Sequence, residues 1–322
     1  MTLTIQHFTD IGTLYACWHA SLSTTDVTGS VVNHVTPAYS GLPLDANLVA
    51  QKQATGEDIL FSGNVGSMPC WDTQAVVNQR NALVVDSFTK NFTNGMTVVS
   101  AFQLHAAADG YATYNAYSIN EPAIFTPMVN GSAGTAPGDR KWRVRTGWGD
   151  SNSVIGVAFT PTVHVYTQPA TGGPSLRVWD DVNSGAEHQP ANPPSMPANI
   201  TAMACAGGLK PDQSEPDTYG MNGKVSIFAV YDGVLSPADT EQAVLLCQHW
   251  ITNNNVPSAP TYPESETFGP VTINDPTNAT LQWQWRAPES SDPADWTPAL
   301  AALSNASLVA GHPAGTTELS IN

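Results

Sequence analysis

Basic residues are scarce in this chain: 11 Lys and Arg stand against 27 Asp and Glu, a net charge of −16. That field repels a phosphate backbone, so nucleic acid is not an expected partner. The one basic run, Arg140-Lys141 with Arg143 and Arg145, reads as the solvated side of an alternating strand. Charge of either sign is thin, 12% of residues, so Ser, Thr, Asn and Gln must solvate the surface in place of ion-pair networks. Cysteine is limited to Cys17, Cys70, Cys205 and Cys247, with neither CxxC nor zinc spacing. Their apolar or small neighbours favour buried free thiols over disulfides. No run approaches the ~20 apolar residues of a membrane span. The opening MTLTIQHFTD lacks the basic and apolar stretches of a secretory leader, so neither membrane insertion nor secretion by a leader is expected.

Motifs for common chemistry are missing as well. There is no Gly-x-Ser-x-Gly elbow, no phosphate-binding Walker loop and no dinucleotide fingerprint. The eight histidines are scattered, and each reads as a surface or core residue before a ligand. What is present is turn chemistry, 25 Gly and 25 Pro, among short apolar runs, with a hydrophobic fraction of 41% that suffices for a packed core. Residues 96–105 alternate, with Met96, Val98, Ser100, Phe102 and Leu104 on one face. Residues 141–146 do the same with Trp142, Val144 and Thr146. Val154–Phe159, Val163–Thr167 and Leu176–Trp179 follow, the last two joined by the turn-rich Gln168–Pro174. Val225–Tyr231 is apolar on both faces, as a strand covered from both sides should be.

One helix is written clearly. Ser236 suits an N-cap, Pro237 the first helical position, and Asp239 can close a capping box. Ala243, Val244, Cys247, Trp250 and Ile251 form one apolar stripe, and the helix should stop in Asn253-Asn254-Asn255. Residues 256–267 carry three prolines without periodicity, an extended linker. Short strands at Val271–Ile273 and Leu281–Arg286 follow it. The expected division is therefore 1–255, the linker 256–267, and a small domain over 268–322.

The run Gly223–Asp239, continuing to Gln248-His249-Trp250, resembles the closing segment of concanavalin A-like (laminin G-like) domains. Ile59–Gly63, Ala82–Asp86 and Phe92–Phe102 are similar to the early strands of that family. The tail, with Leu281–Arg286, Asp295-Trp296-Thr297 and Thr316–Ile321, resembles immunoglobulin-like repeats of phage and bacterial surface proteins, cut short at Asn322. The resemblance implies an all-β fold: a concanavalin A-like jelly-roll sandwich with one short C-terminal helix, then a small, incomplete immunoglobulin-like segment. Glycosidases of that fold carry paired carboxylates along one strand, as in Glu-x-Asp-x-x-Glu. Here Glu57-Asp58 are adjacent, and Glu215 and Asp217 sit among prolines, so a protein without enzymatic activity is expected.

Lectin-like recognition sets an aromatic face beneath a sugar and carboxamides or carboxylates at its hydroxyls. Three stretches read as loops offer that mix: Trp71 and Asp72; Tyr111, Tyr114 and Asn115; Trp148, Asp150 and Asn152. In each, packing of the aromatic at a sheet end is the plainer alternative. Asp180, Asp181 and Asn183 offer oxygens suited to calcium, against a solvated acidic turn; no other cofactor is implied. Trp283, Trp285 and Trp296 would form the core of the tail, and an unfinished sheet there invites strand addition during assembly. The expectation is a phage virion protein, a fibre, spike or capsid-decorating subunit displayed on the virion surface. It would adhere to host-surface glycan, stabilise the particle, or both. Other virion proteins and copies of itself, as a trimer, would be its partners. A carbohydrate-binding module of a secreted bacterial protein and a purely structural cement protein are the alternatives.

Overall fold

The computed structural model describes residues 4–41, 47–74, 80–85, 89–105, 116–121, 123–129, 141–146, 149–189, 199–209, 216 and 220–252, and in the tail 267–271, 284–285, 297–298 and 317–320. The chain divides into two units, Met1–Pro257 and Ser258–Asn322.

The first unit is an all-β sandwich, as expected. One layer runs in the spatial order β4 (Tyr39–Ser40), β1 (Leu14–His19), β18 (Gly223–Asp232), β9 (Met96–Leu104), β14 (Thr162–Gln168), β15 (Ser175–Trp179) and β16 (Ser184–His188). The other runs β2 (Thr24–Thr28), β3 (Val31–Thr36), β5 (Leu48–Lys52), β8 (Asn81–Val85), β17 (Ala202–Cys205), β10 (Tyr117–Glu121), β11 (Ala123–Val129), β12 (Lys141–Thr146) and β13 (Gly149–Gly156). The hairpin of β6 (Leu60–Val65) and β7 (Met68–Asp72) joins the layers, β7 pairing with β18 and β6 with β3. These ladders are all antiparallel, and the Gln168–Pro174 link closes the β14–β15 hairpin.

Aromatic rings fill the space between the layers. Phe102 meets Trp142 at 5.7 Å, Tyr117 meets Phe228 at 5.8 Å, and Trp18 stacks on Phe228 at 5.8 Å. All are fully or almost fully buried, and such rings carry most of the area that drives collapse.

The strand β9 differs from its pattern. Its sequence alternates, yet every residue but Gln103 is buried. The second face is covered because α2 (Pro237–Thr252) lies across the outside of this layer, with α1 (Gln6–Thr9) beside it. Buried Thr240, Ala243, Val244, Cys247, Trp250 and Ile251 form its contact stripe. Its start carries the expected Ser236 N-cap: the Asp239 N–H donates to Ser236 Oγ at 3.2 Å, and the Asp239 carboxylate accepts the Ser236 hydroxyl at 2.7 Å in place of the backbone N–H of a full capping box. The other end is held by the β6–β7 turn. The Ser67 N–H and hydroxyl both donate to the Ile251 carbonyl, at 2.7 and 2.9 Å. Gly66 beside it has φ +59, and a side chain there would run into the same carbonyl.

The four cysteines are buried and free. Among the described residues, no helix is long and apolar enough to cross a membrane. In the second unit, β19 (Thr267–Val271) pairs with β22 (Thr317–Ser320) and β20 (Gln284–Trp285) with β21 (Thr297–Pro298). Trp285 is opposite Thr297; Trp283 and Trp296 lie outside the described residues, as does most of the expected linker.

Candidate functional site

The layers are not continuous everywhere. The strand β3 pairs with β5 through His34 and Val35, but with residues 59–60 through Val31 and Val32. Between those two pairings β5 diverges from β3 and leaves a cleft of about 300 Å3. Val32, Ala50 and Ile59 contribute its apolar lining, and Asn33, Gln51, Lys52, Glu57 and Asp58 its polar one.

Protein contacts fix much of that polar lining. Lys52 Nζ is 2.6 Å from Asp58 Oδ1. The Asn33 carboxamide donates to Asp26 Oδ2 at 2.9 Å and to Thr28 Oγ1 at 3.0 Å. The Asp58 carbonyl accepts from the Gln74 side chain at 2.7 Å, and the Glu57 carbonyl from buried Asn81 at 2.8 Å.

Gln74 connects the cleft to a second group. Its φ is +69, a left-handed backbone conformation uncommon outside glycine. In that conformation its N–H donates to Asp72 Oδ1 at 2.7 Å while its side chain reaches Asp58. The same Asp72 oxygen is 2.8 Å from His105 Nε2. Partial burial raises the Asp72 pKa. The hydrogen bonds from His105 and Gln74, with the charges of His105 and Lys224, outweigh burial and hold it below the usual carboxylate range. Lys224 is directly opposite both Asp72 and Gln103 in the ladders. Asn222, whose carbonyl accepts the His105 N–H, is buried with neither side-chain polar atom hydrogen-bonded. The ends of β7, β9 and β18 thus gather a carboxylate, an imidazole, an ammonium and a carboxamide.

Of the sequence-predicted residues, Asp72 belongs to this cluster. Its neighbour does not serve as expected: Met68–Asp72 is the strand β7 and no loop, and Trp71 is fully buried, its indole N–H donating to Thr25 Oγ1 at 3.1 Å. Trp71 has no ring face left for a sugar. Tyr111, Tyr114 and Asn115 lie outside the described residues, on the segment that starts directly after His105. Trp148 is also outside them. Asp150 and Asn152, read from sequence as loop residues, are in the strand β13, opposite Arg145 and Arg143.

The Asp180 stretch forms an acidic turn, the alternative that the sequence set against calcium. Asp180 Oδ1 accepts the Val182 and Asn183 N–H groups and the Asn183 side chain at 2.8–2.9 Å, and Oδ2 accepts the same side chain at 2.9 Å. Asp181 accepts from Thr160 at 2.8 Å. The Asn183 amide points its N–H groups at the carboxylate, so the three residues close a turn on themselves and present no shared oxygen cage. Among the described residues no group of three His, Cys, Asp or Glu is placed to hold a metal ion.

His105, Gln74, Lys224 and Asn222 were missed by the sequence reading. Asp72 and His105 are 33 positions apart, with no periodicity linking them. The one local signal was their placement next to strand ends.

No protein-family model and no curated protein matches the chain. Solved structures similar to it include Trypanosoma rangeli sialidase in complex with sialic acid, at 16% identity and a TM-score of 0.40, covering 74% of this chain and 34% of that one. Domain 4 of AbnA, an extracellular arabinanase from Geobacillus stearothermophilus in complex with arabinotriose, is 13% identical with a TM-score of 0.43, covering 72% and 98%. The Emp46p carbohydrate recognition domain is 11% identical with a TM-score of 0.32, covering 52% and 83%. The chain thus spans about a third of the length of the sialidase it matches. The expectation of a protein without enzymatic activity does not stand beside these neighbours, two of which are glycosidases or parts of one. At these identities and TM-scores they transfer neither an activity nor a substrate.

Proposed function

We propose that this chain recognises a carbohydrate in the cleft between β3, β5 and residues 57–59, with the Asp72–His105 group extending the site. The observation that carries the reading is the polar lining held in place by protein contacts: Lys52 on Asp58, Asn33 on Asp26, and Gln74 between Asp58 and Asp72. Carboxamides donate to and accept from hydroxyls, and carboxylates accept from them. Groups ordered in advance lose little entropy when a ligand arrives. The resemblance of Gly223–Trp250 to concanavalin A-like domains supports the same class of ligand.

A glycan array followed by calorimetry tests this. A hit that Gln51→Ala weakens roughly fivefold, the worth of about one net hydrogen bond, supports the cleft. Absence of any glycan hit, or a hit indifferent to Gln51→Ala and Asp72→Ala, overturns it. Following reducing-end release in the same mixtures separates binding from turnover.

We further propose that the glycan belongs to a cell surface and that the chain is displayed on a virion as an oligomeric fibre, spike or capsid-decorating subunit. Sparse charge and a surface rich in Ser, Thr and Asn support an exposed setting. Light scattering should give a trimer or larger ring; a monomer overturns the oligomeric part.

A further inference from the structure

The helix α2 covers only part of its layer. Beyond it the outer face of β15 and β16 is open, and a groove of about 280 Å3 runs between those strands and the start of the helix. Its two walls differ. On the strand side are Ser175, Arg177, Glu187 and Gln189; on the helix side are Val234, 47% exposed, and Pro237.

The strand wall is ordered. Glu187 Oε2 accepts from Arg177 at 2.8 Å and Oε1 from Gln189 at 2.7 Å, with the Ser175 hydroxyl also donating to the carboxylate. Gln189 first, then Arg177, holds the Glu187 pKa below the usual carboxylate range, so the acceptor is ionised at neutral pH. Arg177 and Glu187 are opposite each other in the ladder, and Leu176 and Val178 between the outward residues are fully buried. Neither side chain can turn inward.

We propose that this groove is a second carbohydrate site, specific for a neutral saccharide that presents vicinal hydroxyls. Arg177 only donates hydrogen bonds and ionised Glu187 only accepts them. A ligand bridging the two must accept at one position and donate at the next, as adjacent hydroxyls do. The charges of the pair cancel, so neither an anion nor a cation is called for, and the net charge of −16 opposes anions. Val234 and Pro237 then cover the C–H face of the ring. The volume is near the lower end of the roughly 300–1,000 Å3 typical of small-molecule sites, enough for a short saccharide. The groove shares no residue with the cleft between β3 and β5, and the inference does not rest on that site.

Titration of the full chain with maltose, lactose and cellobiose to tens of millimolar, followed by amide resonances in two-dimensional NMR spectra, tests it. Saturable shifts at Ser175, Gln189 and Val234 are expected with at least one sugar. Glu187→Gln should weaken that binding roughly tenfold, by loss of a charge-assisted acceptor. Val234→Asp, a change at an exposed position that leaves the fold intact, should abolish it. Shifts confined to Gln51 and Asp58 would sink the groove and leave the cleft standing, and shifts confined to the groove would do the reverse. No saturable shift at the groove with any of the three, or variants that titrate like the parent, overturns the proposal.

Discussion

The layer containing β1, β18, β9 and β14 has a buried face on each side, and each holds a histidine in a different condition. Between the sheets, His164 is boxed edge-on by Trp142 at 4.1 Å and Phe102 at 4.6 Å, with no hydrogen bond to either ring nitrogen. Under α2, His19 packs against Trp250 at 4.4 Å and Phe8 at 6.1 Å, and its Nδ1 accepts the Ser21 N–H at 3.3 Å. Burial pushes His19 down to about 3 and His164 well below the usual range. The inner face is made by long-range pairing of strands. The outer one is closed by a helix held at its two ends, with Cys17 and Cys247 buried close together beneath it. One sheet thus carries two cores with different means of closure.

Acid should strain both at once. Each histidine has a folded pKa below its unfolded value, so the unfolded chain takes the proton first. For His19 this stability is complete above ~6.5 and falls as pH drops toward about 3, by roughly 1.4 kcal/mol per unit, and His164 adds a loss of the same sign. Over two units below ~6.5 His19 alone removes about 2.7 kcal/mol, a substantial part of a typical domain's stability. Urea midpoints between pH 6.5 and pH 4.5 measure this; a flat profile would show that the two cores already admit a proton.

Truncation should separate the two faces by mechanism. Trp18→Ala, in the inner core, should cost about 3–5 kcal/mol and lower the single unfolding midpoint. Trp250→Ala removes a ring of the same size, but its loss should be felt locally. Faster amide exchange in α2 and thiol labelling of Cys247 are expected while β9 stays protected. Equal loss of protection in both regions would dissolve the distinction.

His164→Phe should be neutral or stabilising by about 1 kcal/mol at neutral pH, because it removes two polar atoms without partners. It should also make the acid slope shallower. His19→Phe should make the slope shallower too, but forfeit the Ser21 contact. The smallest effect expected is Ser236→Ala, about 1 kcal/mol from loss of the cap, confined to the first turn of α2 and read by amide exchange there.

Much of the fold was legible in local signals. The helix start at Ser236-Pro237, its buried stripe and the two-sided burial of β18 follow from spacing and capping alone. Burial of β9 on both faces did not, because Thr97 and Gln103 interrupt its second face as a solvated one would. The site was less legible. Met68–Asp72, read as a loop, is a strand bridging the layers, and Pro69 accepts the Ser226 hydroxyl at 2.7 Å through its carbonyl. Of the two readings open for Trp71, packing and a ligand platform, burial decides for packing.

The sequence by itself determined the all-β class, the single capped helix and the free, buried cysteines, since periodicity, caps and flanking residues act within one or two turns of chain. Only the tertiary structure decided which polar side chains meet. Lys52 and Asp58 are close in sequence, but Asp72 and His105 are brought together by separate strand ends, and Arg177 and Glu187 by a register with a bulge after Arg177. Those distances are set by how whole strands pair and where the ladders shift, and a one-residue slip would carry each partner to the opposite face.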